Sequence, residues 1–371
     1  MSKSNQTIVF IILLLIVGAF VLMYDSTPQE VAQSNPLSDG NLQVHFIDVG
    51  QGDATLLVSQ DTTILIDTGR HDGNEVVPYL TQAGVQKIDL LVGTHPHSDH
   101  IGQMDKVLGK FPVSEVWMSG DVHTSSNFER VLDAILQTGA NYHEPRAGET
   151  FKFGDLHITV VHPMELTGDF NNGSIGMHIQ YGDVAFLFTG DAEAVSENRM
   201  LSDKRRLQAQ IFHVAHHGSS TSNTEAFLQA VDPELAVYSA GIDNTYGHPH
   251  RETVSAFAEM GIPLLGTDKH GTIIVETDGK SYQVLGNLQD EHVDGDSKDS
   301  DNTDNVDNTG KINLNTASRE ELQQIMHIGA ERVDELLQYR PYTSVDELKK
   351  INGIGKGRLN DIKKEGKAYV D

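Results

Sequence analysis

His95-Pro96-His97-Ser98-Asp99-His100 puts three imidazoles and a carboxylate into six residues. The block follows Ile88-Asp89-Leu90-Leu91-Val92-Gly93-Thr94 directly, an apolar run of strand length. A buried strand that stops in alternating donors delivers them to one space at its C-terminal edge. Imidazole and carboxylate suit borderline divalent ions, Zn²⁺ above all, with Mn²⁺ as the alternative. The spacing supplies two pairs, His95/His97 and Asp99/His100, enough to begin two adjacent metal sites. Such a half-built centre constrains the rest of the fold, because other strand ends must converge on it with further donors.

The required donors are present. Phe188-Thr189-Gly190-Asp191 ends an apolar run with a carboxylate placed to bridge two ions. Val214-Ala215-His216-His217-Gly218-Ser219 ends another with paired imidazoles. Asp48-Val49-Gly50-Gln51-Gly52-Asp53 and Asp67-Thr68-Gly69 add carboxylates beside glycine turns. One Asp–Gly turn is ordinary; ligand-type residues at four strand ends are not. The chain has no cysteine, which excludes thiolate ligands, a cysteine nucleophile and any disulfide-linked partner.

Five segments are expected. Residues 8–24 carry no charge and follow Lys3, which predicts a single-pass membrane anchor over 1–24, with the body outside, or a cleaved signal and a secreted protein. Residues 25–41 read as a polar tether. Residues 42–289 alternate short apolar strands with amphipathic helices in two β-then-α halves, which predicts sheets packed together under helices. Residues 290–310 are almost all Asp, Asn, Ser, Thr and Gly and cannot bury a core, so they read as an acidic disordered linker. No stretch there has the glycine at position six that a calcium loop needs. Residues 311–371 contain two similar turns, Ile325-Met326-His327-Ile328-Gly329-Ala330 and Ile351-Asn352-Gly353-Ile354-Gly355-Lys356, each between short helices.

The ordered histidines and aspartates resemble the metallo-β-lactamase superfamily, over roughly Leu42–Leu288. The resemblance implies an α/β fold, an αβ/βα four-layer sandwich with two divalent ions at one edge. Within that superfamily the chain is similar to the extracellular hydrolase domain of the ComEC competence proteins. Phe46 to Ala54, Asp67-Thr68-Gly69, His95 to Gly102, Thr189-Gly190-Asp191, His216 to Ser219 and Tyr246-Gly247-His248-Pro249-His250 carry that likeness. It implies that His95 and His97 hold one ion, that Asp99 and His100 hold the other with one of His216 and His217, and that Asp191 bridges. A third histidine, usual on the first ion, has no counterpart around Asn171 to Met177, and His178 reads as a strand-surface residue. The catalytic residues implied are Asp99 or Asp53, orienting water, and His248, contacting the phosphate or protonating the leaving group. His123, among others, matches no ligand position and is expected to be a structural or surface residue.

Residues 311–366 resemble the tandem helix-hairpin-helix domain of ComEA DNA receptors, a small all-α unit. Its turns would present backbone N–H groups to phosphates without reading bases. The residues implied are His327, Ile328 and Gly329 in the first hairpin and Gly353, Ile354, Gly355, Lys356 and Arg358 in the second, with His327 replacing the usual first glycine. The net charge of −26 lies mainly in the body and the linker, while 311–371 is nearly balanced. An acidic body repels DNA over long range, so a polyanion must be held by metals, by local basic groups or by a separate unit. The function expected is an extracytoplasmic metal-dependent phosphodiesterase, a DNA nuclease related to competence. The alternatives are a phosphorylcholine-esterase-like cell-wall enzyme, whose family shares the Asp48 to Asp53 pattern, and a non-catalytic DNA receptor.

Overall fold

The computed structural model describes residues 40–286 and most of 312–370. Residues 1–39, 287–311, 316, 318–321, 323, 324, 329, 341, 343, 352, 353, 366 and 371 lie outside the described residues. The expected anchor over 8–24, nearly all of the tether and the acidic linker fall there, as do Gly329 and Gly353. Among the described residues, no helix is long and apolar enough to cross a membrane. The chain divides into two compact units, Met1–Asp290 and Glu291–Asp371.

The first unit is built on two sheets. Strands β1 (Leu42–Phe46), β2 (Thr55–Val58), β3 (Thr63–Ile66), β4 (Ile88–Gly93), β5 (Val113–Met118) and β6 (Asn141–His143) lie side by side in that order. The second sheet runs from β7 (Thr150–Phe153) through β8 (Leu156–His162), β9 (Gly176–Tyr181), β10 (Val184–Phe188), β11 (Ile211–His213) and β12 (Leu235–Tyr238) to β13 (Leu264–Gly266). Strands β14 (Ile273–Thr277) and β15 (Tyr282–Leu285) return to the first sheet. β14 pairs antiparallel with β1, Leu42 opposite Thr277 and Phe46 opposite Ile273, and β15 pairs with β14, Leu285 opposite Ile274. Alternation identifies a strand but not its partner, so this return to the first sheet leaves no signal in the sequence.

Period-2 alternation makes the layers. In β10, Val184, Phe186 and Phe188 face the core between the sheets, while Ala185 and Leu187 face outward. In β4, Leu90 and Val92 point inward and Leu91 outward. The outward face of the first sheet packs on α1 (Val76–Gln82), α2 (Met104–Lys110) and α3 (Ser126–Thr138) through Val76, Leu80, Met104, Val107, Phe128 and Val131. That of the second packs on α4 (Ala194–Ser202), α5 (Glu225–Val231) and α6 (Arg251–Glu259) through Met200, Phe227, Leu228 and Phe257. A one-turn helix, α7 (Thr267–His270), follows β13. The result is the four-layer sandwich. α3 shows the local logic: Ser125 Oγ accepts from Phe128 N at 3.2 Å to cap its start, and Gly139 at φ 71° ends it.

The second unit has helices α8 (Ala330–Gln338) and α9 (Lys356–Glu365) and a 3₁₀ turn over Val345–Lys350. Leu314, Leu322, Ile325, Ile328, Val333, Leu336, Ile351, Ile354 and Ile362 form its own core. It is not wholly helical, because β16 (Ile312–Asn313) pairs in parallel with β17 (Ala368–Tyr369) and ties its ends together. Two-residue pairings leave no periodic signal to read from sequence.

Trp117 is the single tryptophan and is fully buried between the sheets, so its fluorescence reports the first unit alone. Phe46 is stacked there against Phe188, with ring centroids 6.2 Å apart. Phe46→Ala is expected to cost about 3–5 kcal/mol, read as a lower denaturation midpoint of the Trp117 signal. A cost below about 1 kcal/mol would contradict a core closed at this position.

Candidate metal centre

Strands β3 and β4 are parallel, as are β10, β11 and β12. Parallel strands end on a common edge, so the segments after Ile66, Gly93, Phe188, His213 and Tyr238 meet there. The turn from Asp48 to Asp53 closes the same edge. Its glycines allow the approach: Asp53 N donates to Asp99 O at 3.1 Å, and a Cβ on Gly52 would collide with that carbonyl.

Two trios of the expected ligands result, beside a third group of Asp53, His100 and Asp191. His95, His97 and Asp191 form one, and Asp99, His100 and His217 form the other, with donor atoms within 4.8 Å of one another in each. His95 Nε2 and His97 Nδ1 are 3.0 Å apart. Asp191 joins the trios. Its Oδ2 lies 3.6 Å from His95 Nε2 and 3.6 Å from His216 Nε2, and its Oδ1 lies 3.2 Å from His100 Nε2 and 3.9 Å from His217 Nε2. His217 Nε2 is 3.6 Å from Asp99 Oδ2. The sequence left His216 and His217 equivalent; the geometry separates them. His217 is 2 % exposed and sits with Asp99 and His100, whereas His216 faces the His95 side of Asp191. Both take left-handed backbone at φ 54°, unusual for residues other than glycine. His216 N bonded to Gly190 O, and Asn223 bonded to both backbone groups of Ala215, hold that turn.

An outer ring orients the imidazoles. His100 Nδ1 donates to Asp67 Oδ2 at 2.9 Å, and Asp67 is fixed by Thr94 N and Oγ1 at 2.8 and 2.7 Å. His217 Nδ1 donates to Ser239 O at 3.0 Å. In both rings the Nε2 is thereby turned toward Asp191. Ser174 Oγ and Thr94 Oγ1 lie 3.3 and 3.2 Å from His95 Nδ1. Asp53, expected to orient water, is placed differently. It stands behind the rings, 3.4 Å from His217 Nδ1 and 3.8 Å from His100 Nδ1, and does not line the cleft. With His100 and Asp191 it forms a further group able to hold a cation.

The donor set fits divalent cations. Asp191 Oδ1, His100 Nε2, His217 Nε2 and Asp53 Oδ1 are all buried and make no hydrogen bond. Buried polar atoms rarely stay unsatisfied, and four in one cluster are what cations would complete. Without an ion the charges balance one another. Burial opposes a charge on His100, but Asp191 and Asp67 outweigh it and hold the imidazole well above its usual range. Burial works likewise against His217, outweighed by Asp53 and Asp191. Burial would raise Asp191, but His100, His217 and His95 keep it well below the carboxylate range. Asp53 is held at about 2, its burial outweighed by His213, His217 and His100. His95 is pushed down by burial and by His100.

The trios open into a cleft of about 340 Å³ lined by Gln51, Asp99, His123, Asn171, Tyr246 and His248, among others. His248 lines this cleft, its ring 5.9 Å from that of His217. Burial, with His217 and His216, pushes it down to about 4. His123, read as structural, in fact lines the cleft beside His97. His178 is buried rather than at the strand surface and bonds Gln208 O. Asp67, Ser239 and Ser174 went unassigned as partners of ligands, because their role depends on which strand ends are neighbours.

In the second unit, Ile328 and Ile354 are buried core side chains, 1 % and 3 % exposed, and cannot reach a ligand except through their backbone. Hairpin turns need an apolar plug to hold the two helices together, and these isoleucines serve as it. Gly355, Lys356 and Arg358 are exposed at the start of α9. His327 takes left-handed backbone at φ 68°, the conformation glycine would supply.

A family model for the metallo-beta-lactamase superfamily matches residues 47–242, and one for the helix-hairpin-helix motif matches 307–365. ComE operon protein 3 of Bacillus subtilis is 31% identical over 251 residues, which are 62% of this chain and 32% of that protein. Competence protein ComA of Neisseria gonorrhoeae is 31% identical over 230 residues, 61% of this chain and 31% of that protein. A protein named deoxyribonuclease from Thioalkalivibrio sp. is 45% identical over 62 residues, 17% of each chain. The chain spans about a third of the length of the competence relatives it matches. With its sandwich, its ordered ligand residues and these matches together, the chain belongs to the metallo-beta-lactamase superfamily, as a metal-dependent hydrolase related to the ComEC-type competence proteins and carrying a helix-hairpin-helix unit.

Proposed function

We propose that this protein is a dinuclear metal-dependent phosphodiesterase that cleaves DNA outside the cytoplasm, anchored by residues 8–24. The observation that carries the reading is Asp191, a member of one trio and within 4 Å of His100 and His217 of the other, at the floor of an open cleft, in a chain that also has a helix-hairpin-helix unit. His95, His97 and Asp191 would hold one ion, and Asp99, His100, His217 and Asp191 the other, Zn²⁺ or Mn²⁺. Bound there, a pair of divalent ions supplies Lewis acidity and makes hydroxide available at neutral pH. The protein's own residues do the rest. Asp99, partly exposed in the cleft, orients the attacking water and takes its proton. His248 is neutral at pH 7 and acts through an N–H hydrogen bond to a phosphate oxygen rather than as a charged acid. Asp67 and Ser239 keep the imidazoles of His100 and His217 in register.

The second unit holds the substrate. Gly355 and Lys356 open α9, where unbonded N–H groups and the helix dipole favour a phosphate. Lys356 and Arg358 add charge that the acidic body does not offer. Such contacts are sequence-independent, and a tether between the units raises the local DNA concentration at the cleft. The 45% identity to part of a named deoxyribonuclease supports this reading.

Three outcomes test it. Metal analysis should find two ions per chain, and Mn²⁺- or Zn²⁺-loaded protein should cut DNA, with Asp191→Ala losing both ions and activity. Loaded wild type that hydrolyses no phosphodiester would sink the enzymatic reading. Asp67→Asn leaves every ligand in place but should weaken metal affinity about 10–100-fold, measured by competition with a chelator; an unchanged affinity would show that His100 needs no carboxylate partner. Removing 311–371 should raise KM for long DNA and flatten its salt dependence while leaving hydrolysis of a small phosphodiester intact. Equal KM values for the full and shortened chains would rule out substrate capture by that unit.

A further inference from the structure

The cleft carries aromatic groups at both ends of its ligand cluster, and none of them has been given a role as a pair of platforms. Beside His97 lie Phe170 and His123, with ring centroids 5.6 and 6.5 Å from that of His97 and 5.1 Å from each other. Beside His216 and His217 lies His248, at 5.6 and 5.9 Å, and Tyr246 is stacked on it at 5.7 Å with an interplanar angle of 18°. Tyr246 is 62% exposed, far more than core packing would leave a tyrosine. His123, Tyr246 and His248 all line the cleft whose floor is Asp191. A phosphodiester held over this floor has a nucleoside on each side, and an aromatic pair stands at either end of the ligand cluster.

We propose that the cleft takes single-stranded DNA, with the unpaired bases flanking the scissile phosphate stacked on Phe170 and His123 at one end and on the exposed ring of Tyr246 at the other. The inference deepens the phosphodiesterase reading and rests on it. Stacking needs a free base face, and duplex DNA uses both faces of each base internally. The floor is also recessed: Asp191 is only 2% exposed, under a cleft of about 340 Å³. Stacking recognises a base without reading it, which matches hairpins that hold DNA without sequence preference.

The test uses the full, Mn²⁺-loaded chain and three substrates of equal length: a single-stranded oligonucleotide, a deoxyribose-phosphate oligomer without bases, and a blunt duplex. Kinetics are read by gel, and binding by fluorescence anisotropy. Wild type should prefer the single strand over both others. Tyr246→Ala and Phe170→Ala should each raise KM and Kd for the single strand about tenfold and leave the base-free oligomer unchanged, while Tyr246→Phe keeps wild-type values. Thermal melts of each variant confirm folding. Alanine variants that bind and cut the single strand as wild type does, or a duplex cut as fast as the single strand, would overturn the proposal. Absence of any cleavage would instead sink the hydrolase reading, since the anisotropy arm still reports stacking.

Discussion

One buried carboxylate sets the terms for this structure. Asp191 lies within 4 Å of His95, His100, His216 and His217, which come from two sheets. A lone carboxylate in such a place would be prohibitively costly, and one surrounded by imidazoles is tolerable only while the geometry holds. The sandwich must therefore keep its two parallel edges in register to within a fraction of an ångström. The rigid core of Phe46, Trp117, Phe186 and Phe188 behind that edge meets the requirement. Stability is concentrated in the layers, and the unsatisfied polar atoms are gathered where a ligand can use them.

The positioning ring matters as much as the ligands. Asp67, Asp53, Ser239 and Thr94 do not face the cleft, yet they decide which nitrogen of each imidazole does. Much of the strain sits in the same place: His216 and His217 hold left-handed backbone in succession, secured by Asn223 and Gly190. Backbone conformations of this kind persist only where surrounding contacts over-determine them. The second unit follows a different economy, with a small apolar plug and exposed charge at one helix start.

Much of this was legible from residue order. Strands β4 and β10 and the donors after them could be read from apolar runs and from the His95 to His100 block and Asp191, because local periodicity and ligand chemistry both survive in one dimension. The return of β14 to pair with β1 could not be read, since the register between Phe46 and Ile273 is a tertiary fact. For the same reason the choice between His216 and His217 was open: adjacent residues differ only in the direction each ring takes from a strained turn. Ile328 and Ile354 were credited to DNA contact because they lie inside a motif, but a motif records residues that shape a turn as well as those that touch a ligand. His123 was passed over because nothing near it in the chain suggests a site; it belongs to the cleft through the strand order alone.

The polarity of β1 and β15 has one more consequence. The chain enters the sandwich at Leu42, at the end of β1 away from the ligands, and runs through Phe46 to the turn holding Asp53. It leaves at Leu285, which lies opposite Ile274 and so next to the Phe46 end. Entry and exit are therefore on opposite rims. A bulky fusion partner spliced ahead of Leu42 stands clear of the working face, whereas one joined close behind Leu285 crowds it, so the rear rim is the natural place to attach this domain to a surface.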